Sequence, residues 1–300
     1  MAEPDFRPQT LTARDGVALR AARWSAGESG GRGLAIVLQG RAEFIEKYRP
    51  VAGELLARGF DVATLDWRGQ GGSARALPDP RKGHVDDFAE YGRDLGALLA
   101  QVGRPVLVLA HSMGGCIALR ALVEGRLAPR AMVFVAPMWG LPLGRFGGRL
   151  TDMGARALAR ALTRMGLGRR YAPGQGPTPY PLTRPERCLL TSDRDQAMRF
   201  AELTLRHPAL AIGGPTVGWV RAAFAEMDAL APLPTGVPAL VAVGTDEGLV
   251  SPAAIRARAA RDGLSLVEIP GARHEPLFET PAARAALWTA VDAHLAARGV

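Results

Sequence analysis

The sequence predicts an α/β protein with a mostly parallel central sheet, helices on both faces and an inserted helical segment. Short apolar runs rich in β-branched residues alternate with helical runs, as in βαβ units. The alternation stops between about residues 137 and 225 and then resumes. Before it begins, residues 11–13 and 17–22 flank Arg14-Asp15-Gly16, which predicts an antiparallel hairpin.

These runs divide the chain into a core and an insertion. Strands are predicted at 34–38, 61–65, 106–109, 131–135, 239–243 and 264–269, and helices at 44–56, 85–102, 116–122, 252–260 and 281–297. We therefore assign residues 1–136 and 226–300 to the core and residues 137–225 to a helical cap, or lid. Ligands bind at the carboxyl ends of parallel strands, so an insertion there covers the binding site.

Composition narrows the class of protein. A chain of 300 residues, 48% of them hydrophobic, is long enough for one large core. Its first residues lack the apolar stretch of a secretory signal, and no apolar run approaches the roughly 18 residues of a membrane helix, which predicts a cytoplasmic protein. Cys116 and Cys188 lie far apart in sequence, which argues against a disulfide framework or a metal site. We expect no cofactor.

The formal net charge is +8, and only Lys47 and Lys82 are lysines, so nearly all of the basic charge is arginine. The densest group comprises Arg145, Arg149, Arg156, Arg160, Arg164, Arg169 and Arg170. The favoured interpretation is a solvated helix face, and the alternative is a patch for anionic lipid surfaces or phosphate-bearing substrates. No module that reads bases is present, so we expect no nucleic-acid partner.

One apolar strand runs into a sharp turn that carries a serine. Residues 106–109 lead into Ala-His-Ser-Met-Gly at residues 110–114, and the helix-prone run 116–122 follows. This is the pattern of a nucleophile elbow, in which small residues on either side of a strained serine keep the strand and helix from colliding. Ala110 stands where the strict pattern has glycine. We predict Ser112 as the nucleophile.

A serine hydroxyl needs a base, usually a histidine that a carboxylate orients. Of the five histidines, His274 follows the last predicted strand, at the sheet edge where Ser112 emerges, and we assign it as the base. The other four are less suited by position: His84 in a loop, His111 beside the serine on a sharp turn, His207 in the cap and His294 on a helix surface.

Two adjacent carboxylates, Asp246 and Glu247, follow the strand 239–243. The order serine, acid, histidine along the chain is then that of hydrolases built on this turn. In related loops the acid comes three residues after the glycine, here Gly244, and three before an apolar residue that opens the next segment. This register selects Glu247 as the residue that orients His274, with Asp246 as the alternative.

The negative charge of a tetrahedral intermediate needs two preorganised N–H donors, each contributing roughly 3 to 4 kcal/mol. Met113 supplies one at the start of the helix, and we assign the other to the amide of Arg41, which follows Gly40 in the loop after strand 34–38. The glycine-rich run 66–73 lacks the Gly-Lys-Ser/Thr ending of a phosphate loop. Tight packing beside the elbow accounts for it better.

Together these residues resemble the α/β-hydrolase fold superfamily. The motifs that carry the resemblance are residues 66–71, 111–115 and 271–275, and those similar to its lysophospholipase and monoacylglycerol lipase group are residues 39–48, 83–88, 136–140 and 207–219. The resemblance extends from about residue 10 to residue 295. Gln39 stands where many members carry histidine, and Glu247 where most carry aspartate. Glutamate orients a histidine equally well, so neither departure argues against activity.

We therefore predict a serine hydrolase that cleaves a carboxylic ester of an acyl lipid through an acyl-enzyme. Substrate-binding residues are expected to include Gly40, Met138 and Trp139. An acyl channel in the cap, or equally packing between cap and sheet, accounts for Leu141, Leu143, Phe146, Leu150, Leu158 and Leu162. Arginines lining the cavity near the serine would favour phosphate-bearing lipids, and an entirely apolar cavity would favour neutral glycerides.

Several alternatives stay open at this point. A general carboxylesterase, thioesterase, peptidase or acyltransferase would use the same triad, and a non-enzymatic ligand-binding protein would share the scaffold. An epoxide hydrolase or haloalkane dehalogenase would need an aspartate where Ser112 stands. We expect a small-molecule acyl ester or lipid as the partner, with transient contact at a membrane surface. The sequence leaves open the head group, the acyl-chain length and the oligomeric state.

Overall fold

The computed structural model describes residues 4–27, 31–142, 149–183 and 188–300, with residues 149–151 described as backbone only. Within these ranges eight strands form one sheet. The strands are β1 (Gln9–Thr12), β2 (Ala18–Trp24), β3 (Leu34–Leu38), β4 (Asp61–Leu65), β5 (Leu107–His111), β6 (Ala131–Val135), β7 (Ala239–Gly244) and β8 (Ser265–Ile269). The helices are α1 (Arg49–Ala57), α2 (Ala89–Val102), α3 (Met113–Val123), α4 (Arg149–Leu162), α5 (Arg194–Arg206), α6 (Val217–Leu230), α7 (Pro252–Asp262) and α8 (Pro281–Ala297).

The strand order is β1-β2-β4-β3-β5-β6-β7-β8. The pairs β1–β2 and β2–β4 are antiparallel, and every pair from β4–β3 to β7–β8 is parallel. Strands β3, β5, β6 and β7 are buried along their whole length, because helices cover both faces of the sheet. The predicted fold class and the N-terminal hairpin are confirmed.

Two apolar clusters hold the helices to opposite faces of the sheet. One joins α2, α3, α6 and α7 to the sheet around Tyr91, Leu119 and Phe134. The other joins α1 and α8 around Leu55 and Trp288. Both cysteines are free and buried, Cys116 within the first of these clusters. No helix among the described residues combines the length and apolar character needed to cross a bilayer.

Proline and tertiary packing move some predicted boundaries. The helix predicted at 44–56 is a 3₁₀ turn over Ile45–Tyr48 followed by α1, which begins beside Pro50, since proline has no N–H to donate and fits only the first turn of a helix. The predicted core boundary at residue 226 falls inside the continuous helix α6. That helix packs on the core, where Glu226 pairs with Arg120 at 2.7 Å.

One close approach of two backbones in the sheet layer lies where β5 turns into α3. A Cβ at Gly114 would collide with the backbone carbonyls of Leu38 and Gln39 at the end of β3. Only glycine therefore allows α3 to start so close to the sheet, which accounts physically for the small residue two positions after Ser112.

Gly114→Ala should lower the free energy of unfolding by about 2 kcal/mol or more, because its methyl group meets rigid backbone. The matched control is Gly96→Ala, at an exposed position within α2 where a Cβ meets nothing within 4 Å. It should raise stability by about 0.5–1 kcal/mol through helix propensity. Urea unfolding followed by circular dichroism measures both, and equal shifts would contradict the close approach.

Candidate active site

Ser112 lies at the turn between β5 and α3 with φ 51° and ψ −117°, in the left-handed region that side chains other than glycine's rarely adopt. Three backbone hydrogen bonds hold this strained residue. Its N–H donates to Val135 O at 3.0 Å, and its carbonyl accepts from Met138 N and Gly115 N, each at 2.9 Å. The turn thereby presents the Ser112 side chain to a cavity.

A continuous line of hydrogen bonds runs from Ser112 through His274 to Glu247. His274 Nε2 is 2.9 Å from Ser112 Oγ, and His274 Nδ1 is 2.7 Å from Glu247 Oε2. The Glu247 side chain is shielded from solvent, and its Oε1 accepts from Leu249 N at 2.5 Å and Val250 N at 3.1 Å. Burial acts to raise the pKa of Glu247, but the bonds from His274 and these amides outweigh it and lower that pKa. The carboxylate is therefore ionised at neutral pH.

Asp246, the alternative acid, lies on the other side of the same loop. It is exposed, and its Oδ1 accepts from the neighbouring Thr245 hydroxyl at 3.4 Å. Its backbone N–H donates to Ala272 O at 3.0 Å. The carboxylate in contact with His274 is that of Glu247.

The two predicted oxyanion donors are the backbone amides of Arg41, in the loop after β3, and of Met113, at the start of α3. Gly40 N donates to Glu43 Oε2, and a Cβ at Gly40 would lie 2.6 Å from that oxygen and 3.1 Å from His111 Nδ1, so only glycine fits. Among the described residues, no group accepts a hydrogen bond from the amides of Arg41 or Met113. The Met113 amide stands at the N-terminus of α3, where the helix dipole favours negative charge.

A cavity of about 680 Å³ opens beside Ser112 and His274. Of the residues predicted to bind substrate, Gly40, Arg41, Met138 and Leu141 line it. Trp139 does not, because its ring packs 4.9 Å from that of Phe134 within the core. The packing therefore corrects the prediction that Trp139 binds substrate.

Two of the residues predicted to form an acyl channel do not line the cavity. Leu158 is 50% exposed on α4, and neither it nor Leu162 lines the cavity. Leu143, Phe146 and the side chain of Leu150 lie outside the described residues. Apolar side chains that the sequence did not single out line the cavity instead, namely Phe44, Leu190, Phe200, Leu203, Val220, Leu249 and Val250.

A buried cluster of one lysine and two carboxylates lies in the wall of the cavity and was not predicted. Lys47 Nζ lies 2.6 Å from Glu43 Oε1 and 2.5 Å from Glu275 Oε1, and all three side chains are at most 8% exposed. Burial acts to lower the pKa of Lys47, but the two carboxylates raise it above its ordinary value. Burial and the nearby Glu43 charge raise the pKa of Glu275, against the pull of Lys47. One weak indication of this cluster was present in the sequence, since Lys47 is a lysine in a chain whose basic residues are nearly all arginine.

Glu43 connects Lys47 to the loop after β3 and, through His111, to the loop that carries His274. Its Oε2 accepts from Gly40 N and from Tyr48 Oη at 2.6 Å, and lies 3.2 Å from His111 Nδ1. The other nitrogen of His111, Nε2, donates to the backbone carbonyl of His274 at 3.1 Å. Burial acts to raise the pKa of Glu43, but Lys47 and His111 hold it well below its ordinary value. An ionised Glu43 thus links the loop after β3 to the loop that carries His274.

Three other histidines lie in structural settings. His84 and His294 are buried, contrary to the surface positions expected, and His84 Nδ1 is 2.7 Å from Thr216 Oγ1. His207 packs edge-on to Phe44 with ring centroids 6.3 Å apart.

The arginine group predicted as a solvated face is only partly paired. Arg156 is 2.8 Å from Asp152 and 2.5 Å from Asp228. Arg160, Arg164, Arg169 and Arg170 are exposed, and Arg160 lies 3.8 Å from Asp228. Arg145 and the side chain of Arg149 lie outside the described residues.

A serine, a histidine and a buried carboxylate at the carboxyl edge of a parallel sheet define an α/β hydrolase. The chain belongs to the hydrolase family described as "Serine aminopeptidase, S33", which it matches over residues 30–281. The predicted resemblance is confirmed, and the chain is an enzyme of the serine-hydrolase class.

Curated relatives cover most of the chain. Lysophospholipase L2 of Escherichia coli K12 is 32% identical over 281 residues, which span 86% of this chain and 79% of that protein. A probable lysophospholipase L2 of Haemophilus influenzae is 29% identical over 78% of this chain and 72% of that protein.

Solved structures share the fold. A soluble variant of monoglyceride lipase from Saccharomyces cerevisiae superposes with a TM-score of 0.76 at 18% identity, covering 99% of each chain. A monoacylglycerol lipase from Paleococcus ferrophilus gives 0.68 at 21% identity, covering 91% of this chain and 98% of that one.

Lys47→Met should lower the free energy of unfolding by about 3–5 kcal/mol, because it leaves two buried carboxylates without their cation. Lys82→Met is the matched control: Lys82 is partly exposed and lies 3.9 Å from Asp79, and its loss should change stability by less than about 1 kcal/mol. Urea titrations of both variants measure the difference.

The penalty in Lys47→Met should also depend on pH. Without the lysine, the folded variant binds protons at Glu43 and Glu275 more tightly than its unfolded chain does, so the loss should shrink as the pH is lowered from 8 to about 5. A pH-independent loss would contradict the buried ion pair.

Proposed function

We propose that this hydrolase cleaves the carboxylic ester of a single-chain acyl lipid, such as a lysophospholipid or a monoacylglycerol, through an acyl-enzyme. The observation that carries the proposal is the continuous hydrogen-bonded line from Ser112 through His274 to Glu247 at the wall of a largely apolar cavity. The relatives described as lysophospholipases over most of the chain support the lipid class.

In the first half of the reaction, Ser112 Oγ attacks the acyl carbonyl while His274 Nε2 takes its proton. The ionised Glu247 stabilises the imidazolium that forms and keeps the ring in position. The amides of Met113 and Arg41 donate to the oxyanion. His274 then protonates the leaving glycerol oxygen, and the acyl group remains on Ser112.

In the second half, a water molecule enters and gives its proton to His274 as its oxygen attacks the acyl-enzyme. The tetrahedral intermediate collapses, His274 returns a proton to Ser112 Oγ, and the fatty acid leaves. Water and an acceptor alcohol would be activated by the same group, so access to the cavity decides between hydrolysis and acyl transfer.

The acyl chain is proposed to lie between the core and the segment that joins β6 to α6, which we propose as a lid. Leu190, Phe200 and Leu203 come from that segment and face Phe44 of the core across the cavity. A volume of about 680 Å³ is in the range of small-ligand sites. The cytoplasmic location and the transient membrane contact stay predictions.

Glu247→Gln should lower kcat/KM for a p-nitrophenyl acyl ester by roughly 10³- to 10⁴-fold, because a neutral amide cannot stabilise the imidazolium. The matched control is Asp246→Asn, which removes the adjacent exposed carboxylate and should leave the rate close to that of the parent enzyme. Steady-state kinetics of the two variants separate the two carboxylates. Similar losses in both would overturn the role given to Glu247.

Ser112→Ala should abolish turnover and labelling by a fluorophosphonate probe, since no other group can form the acyl-enzyme. The parent enzyme should release fatty acid from both a lysophospholipid and a monoacylglycerol, measured by titration of the acid. Retained turnover in Ser112→Ala, or cleavage of p-nitrophenyl esters without any cleavage of lipids, would refute the proposed function.

A further inference from the structure

Arg41 lies in the wall of the cavity and has no counter-ion among the described residues. Its guanidinium lies 5.0 Å from the ring centre of Trp219, and its Nη2 donates to Gly213 O at 3.2 Å. Its Nε is shielded from solvent and has no acceptor among the described residues, which also provide no carboxylate to pair with it. Burial lowers the pKa of Arg41 to about 10, so the side chain stays charged at neutral pH.

Some shielded arginines of this chain are paired with carboxylates: Arg20 is 2.7 Å from Glu46, and Arg68 is 2.7 Å from Asp94. Arg75 and Arg273 have no carboxylate partner among the described residues, but neither lines the cavity. A shielded charge without a counter-ion is costly to folding, and where one lines a cavity it marks a site for a ligand of opposite charge. Within the described lining, Arg41 combines the missing carboxylate with a position beside Ser112.

We propose that Arg41 binds the phosphate of a lysophospholipid head group, so that the enzyme selects phosphate-bearing acyl esters over neutral glycerides. This rests on the proposed function. The planar guanidinium has several N–H donors in a fixed fork that matches phosphate oxygens, whereas the hydroxyl groups of a monoacylglycerol leave its charge uncompensated.

The position of Arg41 along the chain matches the covalent structure of such a lipid. Its backbone amide is the proposed donor to the oxyanion, and its side chain starts from the same residue. The number of covalent bonds from the Arg41 amide nitrogen to Cζ equals the number from the acyl carbon to the phosphorus atom of a lysophospholipid. This count holds when the acyl group and the phosphate are on the two terminal oxygens of the glycerol. In the proposal, the amide of Arg41 contacts the acyl end of the glycerol unit and its side chain contacts the phosphate end.

The lining around Arg41 differs from the apolar wall. Gly174, Gly176, Gly213 and Gly214 line the cavity on this side, and the exposed Gln175 and Thr178 add polar groups at its mouth. Lys47, the other cation of the lining, is already paired with Glu43 and Glu275. Within the described lining, the charge free to meet an anion is that of Arg41.

The test compares kcat/KM for a lysophosphatidylglycerol and a monoacylglycerol with the same acyl chain, short enough for both to stay monomeric. Arg41→Met should lower the ratio of the two values by about 10- to 100-fold, as expected for loss of a charge-assisted hydrogen bond. Arg41→Lys should keep part of the preference, because it retains the charge without the fork. Arg164→Met, which removes an exposed arginine outside the cavity, is the matched control and should keep the ratio of the parent enzyme.

A second measurement does not depend on lipid turnover. Glycerol 3-phosphate should inhibit p-nitrophenyl ester hydrolysis by the parent enzyme more strongly than glycerol or inorganic phosphate does, and Arg41→Met should lose that difference. Equal inhibition by inorganic phosphate would indicate a free-anion site and contradict the head-group assignment.

Two outcomes overturn the role of Arg41 while the proposed function stands: an unchanged ratio in Arg41→Met, or an equal loss on both lipids. Failure of the parent enzyme to cleave either lipid, with Ser112-dependent cleavage of the p-nitrophenyl ester, refutes the proposed function instead. The inhibition by glycerol 3-phosphate then decides whether Arg41 binds phosphate.

Discussion

The ionised carboxylate of Glu43 is the interaction on which the geometry of the site depends. It accepts from the Gly40 amide and from Tyr48, pairs with Lys47, and faces His111, which in turn holds the backbone of His274. A carboxylate this deeply buried stays charged only because a cation lies beside it. The positions of the loop that presents the Arg41 amide and of the loop that presents His274 therefore both depend on the charge of Glu43.

The two cations of the cavity lining show how burial separates structural charge from functional charge. Lys47 is enclosed by two carboxylates, so it fixes the loops and has no capacity left for a ligand. Among the described residues, the partners of Arg41 are a backbone carbonyl and an aromatic face, so no negative charge there balances its positive charge. The segment from Gly40 to Lys47 contributes both cations to the cavity wall. It thus combines the structural charge of Lys47 with the guanidinium of Arg41, which can bind an anion.

The parts of the fold that depend on local sequence were predictable. Strands β3, β4 and β6 and helix α8 have the predicted bounds, because buried parallel strands and a proline-started helix carry their pattern within a few residues. Ser112, His274 and Glu247 could be placed because each follows a strand at the same sheet edge. Trp139 and the Lys47–Glu275 pair could not, since side-chain direction and contacts between residues 228 positions apart arise only from packing.

The loop around Glu247 restrains the extra methylene that a glutamate has relative to an aspartate. A longer side chain loses more rotamer freedom when it is held in one position. Here one carboxylate oxygen accepts from the amides of Leu249 and Val250, which leaves the other oxygen directed at His274 Nδ1. These bonds form with residues two and three positions further along the chain, so they come from the local turn and need no distant partner. The register that favours Glu247 over Asp246 in the sequence is thus also the register that supplies its amides, while the choice between the two adjacent carboxylates needed the side-chain contacts of the structure.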